Sequence, residues 1–151
     1  MKFYYFILFF PYALFAQQKD VTSTLLTKSM FEHIVCLKHY NYSFVQQDTI
    51  ILYVQKNTFI ENNLISYLET GVNLIFLDER EILKKAKNGS FFLTVINHPK
   101  IYNGFIRIDI IMYNMVIKRS ILNYIKVAST IVTFKYNCSN VEYILDKVEH
   151  Y

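Results

Sequence analysis

At 151 residues, 53% apolar and 17% aromatic, the chain has one domain's length and enough apolar material for a core. Its 3 Gly and 2 Pro exclude a Gly/Pro-rich linker or a low-complexity chain. The net charge of +4 comes from scattered residues, and its densest group, Lys84, Lys85 and Lys87, reads as a solvated helix face and not as a nucleic-acid surface.

In chain order, residues 1–16 read as a cleavable secretory signal. Lys2 gives a positive start, Phe3 to Phe15 is an apolar run interrupted by Pro11, and Ala16 offers a small residue for cleavage before Gln17. The run is shorter than the roughly 20 residues a spanning helix needs. Residues 17–151 are then expected to form a single domain without a stable membrane span. Asp20 to Tyr40 reads as a helix with a broad stripe of Leu25, Phe31, Ile34, Val35 and Leu37. Asn41 to Asp48 is polar and turn-like.

Thr49–Gln55 and Val72–Leu77 are short β-branched runs expected to be strands, with a short helix over Ile60–Leu68 ending at Gly71. Asp78-Glu79-Arg80-Glu81 has the spacing of a capping box, so a helix starts there. Its far end carries the three lysines, and Asn88-Gly89 closes it.

From Ser90 the pattern is strands alone. Phe91–Ile96 is one, Asn97 to Gly104 a loop, and Gly104 to Lys118 the long central strand. There Ile106, Ile108, Ile110 and Met112 form one apolar set, while Phe105, Arg107, Asp109, Ile111 and Tyr113 form the mixed set. Arg119–Asn123 is a connection, and Tyr124–Tyr136 alternates again. Asn137-Cys138-Ser139-Asn140 is turn-like, and Val141–Val148 closes the sheet as a charged edge strand. Helices first and strands later give an α+β class: an N-terminal helix packed on a mainly antiparallel sheet with a C-terminal four-stranded meander. Thr49–Gln55 and Val72–Leu77 are also compatible with a small parallel βαβ piece at one edge.

The Lys start, the Phe/Leu-rich run and the ending Leu14-Phe15-Ala16-Gln17 resemble export signals of the Bacteroidetes, flavobacteria especially. The segment Thr130–Cys138 followed by Val141–Leu145 is similar to the closing hairpin of small exported proteins from such bacteria. The resemblance implies an extracytoplasmic compartment and a terminal hairpin. It transfers no catalytic residue.

Cys36 and Cys138 are the only cysteines. In an exported chain they suit a disulfide, which closing a loop of about 100 residues would make worth roughly 4–5 kcal/mol. Cys36 among Ile34, Val35 and Leu37 suits a buried free thiol equally well. His33, Cys36 and His39 look like metal ligands, but His39 lies well round the helix from His33, so the three do not converge. No Gly-x-Ser-x-Gly turn, Ser-x-x-Lys motif or phosphate loop is present. Arg107 and Asp109 read as a solvent-facing pair. Six expected strands fall short of the eight at which outer-membrane barrels begin.

The expected function is therefore a periplasmic or secreted binding or interaction module, without catalysis, metal or other cofactor. Its partner would be an extracytoplasmic protein or a small ligand, and not nucleic acid. A small hydrolase around His98 and Asp109 is the alternative, as is a cystatin-like or nuclear-transport-factor-like ligand-binding domain.

Overall fold

The computed structural model describes residues 4–40, 42, 50–57, 59–60, 64, 67–68 and 72–151, with side chains from residue 21 onward except at 67 and 68. The first element is a helix, α1 (Tyr4–His39). It begins well before the expected Asp20 and runs through Ala16 and Gln17, with Pro11 inside its span. From Leu25 onward its buried face is Leu25, Leu26, Ser29, Met30, His33, Ile34 and Leu37. The steps of three and four residues mark one helical stripe. Phe31 and Val35, expected in that stripe, are instead 45% and 43% exposed on the opposite face. Ser29 fits the apolar face because its hydroxyl donates to the carbonyl of Leu25 at 2.8 Å.

The strands are β1 (Ile50–Gln55), β2 (Tyr67–Leu68), β3 (Val72–Leu77), β4 (Phe91–Ile96), β5 (Lys100–Tyr102), β6 (Phe105–Lys118), β7 (Ile121–Asn137) and β8 (Glu142–His150). They form one sheet in the order β2-β3-β1-β4-β6-β7-β8, with β5 paired to β6. The expected α+β architecture is what the molecule adopts, and β4, β6, β7 and β8 form the antiparallel meander. The expected parallel piece is also present: β1 pairs parallel with β3 on one side and with β4 on the other. Right-handed crossovers that leave β1's neighbourhood in opposite directions must use opposite faces of the sheet. Accordingly Ile60 and Leu64, after β1, join the core beneath α1, while Ile82 of α2 (Glu79–Lys87) joins a second core with Leu77, Leu93 and Met115.

The capping box is realised. Glu81 N–H donates to Asp78 Oδ1 at 2.8 Å, and Asp78 N–H donates to Glu81 Oε2 at 2.9 Å. Of the expected helix over Ile60–Leu68, Tyr67 and Leu68 belong instead to β2, where pairing with β3 overrides local helix preference. Its expected stop at Gly71, and most of the Asn41–Asp48 turn, lie outside the described residues.

The alternation in β6 holds. Ile106, Ile108, Ile110 and Met112 are buried under α1, and Ala128, Thr130, Val132 and Phe134 of β7 continue that face. A register shift between Met112 and Tyr113 leaves Val127 as an extra residue on β7. Beyond it β7 exchanges its faces, whereas β6 alternates on unchanged, so Met115, like Tyr113, lies on the α2 side.

Two connections are tighter than expected. The loop before β6 holds β5 and a two-residue turn, Asn103 (φ 48°) and Gly104 (φ 79°). Arg119 (φ 51°) and Ser120 (φ 63°) form another between β6 and β7, so β7 starts at Ile121. Positive φ at both central residues is the hairpin geometry that matches strand twist.

Candidate functional site

One groove is formed where α1 passes the far end of the β7–β8 hairpin. Its volume is about 390 Å³, and it is lined by Val21, Thr24, Leu25 and Lys28 of the helix and by Tyr136, Val141, Glu142 and Tyr143 of the hairpin. The helix wall follows from spacing: residues at steps of three and four lie above one another on one face. The hairpin wall follows from register, because Tyr136 and Tyr143 pair directly across the two strands. Their rings lie 5.2 Å apart at 58°. Such a pair offers a large apolar surface with hydroxyl tips.

The connecting turn is held by Ser139 N–H, which donates to Asn137 Oδ1 at 3.0 Å. Val141 ends it at φ 55°, a conformation that crowds a β-branched side chain, and yet the residue is 74% exposed. No apolar burial offsets that strain. Lys28 on the helix makes no ion pair with a described residue, and Glu142 accepts only a 3.4 Å contact from Asn140 Nδ2. The groove thus has apolar and aromatic walls, with Lys28 on its helix side and the backbone turn at Val141–Glu142 at its hairpin rim.

A second polar cluster lies under the other end of α1. The Thr130 hydroxyl sits 2.8 Å from His33 Nδ1 and 2.9 Å from His150 Nδ1. The hydroxyl has one proton and two lone pairs, so at most one of the two imidazole nitrogens accepts from it. His33 Nε2 is buried with no partner. An orphaned buried N–H is rarer than an orphaned acceptor, which leaves Nε2 bare and puts the proton on Nδ1. His33 therefore donates to Thr130, whose oxygen is also bonded to His150 Nδ1. Burial, reinforced by the nearby His150, lowers the His33 pKa to about 3. Burial also lowers that of His150, whose ring stacks on Tyr40 at 4.7 Å. This chain of neutral groups fastens α1 to β7 and β8.

The residues weighed from sequence are placed as follows. His33 meets His150, not Cys36 or His39; His39 is exposed, edge-on to Tyr40 at 5.2 Å. His98 is exposed with its ring 5.1 Å from Phe59. Asp109 accepts from Arg107 Nε at 2.7 Å and Lys100 Nζ at 3.3 Å. Burial raises the Asp109 pKa, but these two donors outweigh it and hold the carboxyl below its usual range. His98 and Asp109 thus engage different partners and are not hydrogen-bonded to each other.

The possible disulfide between Cys36 and Cys138 is not formed: both thiols are free, one half-buried on α1 and the other exposed in the β7–β8 turn. The reason is the direction of the helix. Toward its N-terminus α1 approaches Tyr136 and the turn, whereas His33 lies at Thr130 and Tyr42 at Val127. Cys36 therefore lies past the middle of β7 as seen from Cys138, about eight residues or ~26 Å of strand away at ~3.3 Å per residue. A disulfide needs Cα atoms within about 7 Å. Burial, with Glu32 close by, raises the Cys36 pKa and leaves it a weak nucleophile.

Sequence reasoning missed Lys28, Tyr136 and Tyr143 as neighbours. The signal was present in the hairpin, since Tyr136 and Tyr143 flank the turn symmetrically. Which helix face meets it depends on tertiary packing. No family model matches the chain, and no curated protein or solved structure is significantly similar to it.

Proposed function

We propose that the chain is a small exported binding module, and that its mature form, starting at Gln17, holds a ligand in the groove between α1 and the β7–β8 hairpin without transforming it. The observation that carries this reading is the rim of the groove. A strained, exposed Val141 stands beside a tyrosine pair and a second exposed apolar residue, Val21. Strain that the fold does not recover by burial is a mark of functional positions. The volume also falls in the ~300–1,000 Å³ range of ligand sites, which combine apolar walls with a few polar groups. Export is supported by the apolar run ending at Ala16 and by its brevity.

Two measurements test the reading. The first is an intact mass of protein recovered from the periplasm or medium of its host. The expected mass begins at Gln17 with both thiols reduced; a full-length mass from those fractions would remove export from the proposal. The second is a small-molecule fragment screen read by amide chemical shifts on residues 17–151. Shifts clustered at Val21, Lys28, Tyr136 and Val141–Tyr143 are expected. Hits confined to the Arg107–Asp109 face would place the ligand site elsewhere.

A further inference from the structure

β8 ends the sheet, with no strand on its outer side among the described residues. Ser129 and Tyr151 donate to each other's carbonyl at 2.8 Å. By alternation Ile131 with Glu149, and Thr133 with Lys147, are the next bonded pairs. The N–H and C=O groups of Val148 and His150 therefore point outward. Along the same strand Ile144, Leu145 and Tyr151 are 42%, 45% and 65% exposed. A free edge with apolar side chains is a template for another strand. Its charges decide which strand it accepts.

We propose that the edge takes a second copy of this chain, whose β8 lies antiparallel to the first about a two-fold axis at Val148. An axis perpendicular to the sheet keeps the faces, so residues equally far from it oppose one another. Val148 packs toward the core beneath α1, which puts Lys147 and Glu149 on the other face. Each Lys147 then opposes the copy's Glu149. The 2.8 Å pair that these residues make within one chain becomes a ring of four alternating charges. Asp146 is the extra residue of a bulge, because Thr133 opposes Lys147 while Phe134 opposes Leu145. Counted past it, Ile144 opposes the copy's Tyr151. Leu145 opposes the copy's His150, on whose ring the exposed Tyr40 is stacked.

Other axes match less well. Asp146, Lys147 or Glu149 on the axis would face its own kind, and Leu145 there would set Glu142 against Glu149. Tyr143 or His150 on the axis would oppose no unlike charges. Ile144 there would bring Lys147 to Glu142, but across the bulge, whereas at Val148 the ion pairs flank the axis in regular strand. Lys147 and the bulge discourage an arbitrary strand, and the chain's own copy is the one whose charges answer them. The helices leave room. α1 stands on β6 and β7. β7 and its copy would lie three strand spacings, or ~14 Å, apart, which separates two helices each ~10 Å across. The ladder from Ile144 to Tyr151 stops short of Val141 and leaves the groove open.

The test is sedimentation of the purified chain up to millimolar concentration, with amide exchange of Val148 followed in the same samples. One strand edge is a small interface, so half-dimerisation is expected at roughly 100 µM. The Val148 amide should exchange more slowly as dimer forms. Lys147→Glu and Glu149→Lys should each weaken the dimer tenfold or more. Mixing the two variants should restore it as a heterodimer, because acid then faces base at every position. Circular dichroism checks that both variants fold, and the Val148 readout on the native chain needs no variant. Association through the apolar N-terminal run would ignore the charge swaps, and that result overturns the proposal. A chain that stays monomeric at millimolar concentration overturns it too, as does a mixture that fails to dimerise. Loss of the dimer with Lys147→Glu alone would move the axis to Ile144 and overturn the register. A monomer whose Val148 amide is slowed by a capped valine–threonine hexapeptide would make the edge a peptide site and not a dimer interface.

Discussion

His33 puts an imidazole where the α1 stripe of Leu26, Met30 and Leu37 calls for an aliphatic side chain. That choice has a pH consequence. In the unfolded chain the group titrates near 6.5, whereas in the fold its pKa is about 3. The unfolded state therefore binds more protons between these values, and stability rises with pH across that window. The His33 contribution is fully present above about pH 6.5 and is lost progressively as pH falls toward 3. The slope approaches about 1.4 kcal/mol per pH unit, or roughly 5 kcal/mol over the window. That is comparable with the whole stability of a small domain. Only Thr130 and, through it, His150 offer polar contact, and neither is an anion that could hold a proton on His33. Urea midpoints measured from pH 7.5 to 4.5 should fall steeply for the native chain and much less for His33→Leu. Parallel curves for the two proteins would show that His33 is not the group that acid acts upon.

At the scale of elements, the β7–β8 hairpin carries both a stability defect and the groove. A valine at φ 55° costs about 1–2 kcal/mol relative to glycine, which is free to adopt that conformation. Val141 has little burial to lose, being largely exposed. Val141→Gly is therefore expected to raise the melting temperature by several degrees while weakening any groove ligand severalfold. A fall in melting temperature would show that the valine packs usefully, and that its strain has a structural and not a functional cause. The hairpin also shows what sequence could and could not convey. Alternation placed Ile106, Ile108, Ile110 and Met112 correctly, because a strand face is a two-residue period that no distant contact alters. The capping box at Asp78–Glu81 was legible for the same reason, its partners being three residues apart. Phe31 and Val35 were misplaced because α1 is apolar on more than one side, and only the position of the sheet chooses the face. His33 read as a ligand candidate because its partners, Thr130 and His150, lie about 100 residues downstream. Lys28 and the Tyr136–Tyr143 pair were invisible as neighbours for that same reason.

At the scale of the molecule, the sheet has α1 with Phe59, Ile60 and Leu64 on one face, and α2 on part of the other. The core beneath α1 draws on that helix from Leu25 to Leu37 among the described side chains, and the groove begins at Val21. A chain that starts at Gln17 keeps every one of those residues. Its helix still has a full turn ahead of Val21, so the first wall residue is not left in the frayed end. On the export reading, residues 17–151 unfold with the same denaturant midpoint and the same slope as the full chain, because the slope follows the surface buried on folding. Removing Phe3 to Phe15 should instead raise solubility, because that run is strongly apolar. Equal midpoints would mean that the N-terminal run contributes nothing to the core and is free to serve as an export signal. A loss of 2 kcal/mol or more, or a smaller slope, would mean that those residues bury surface against the domain. The first sixteen residues would then belong to the fold, and cleavage at Ala16 would have to be abandoned.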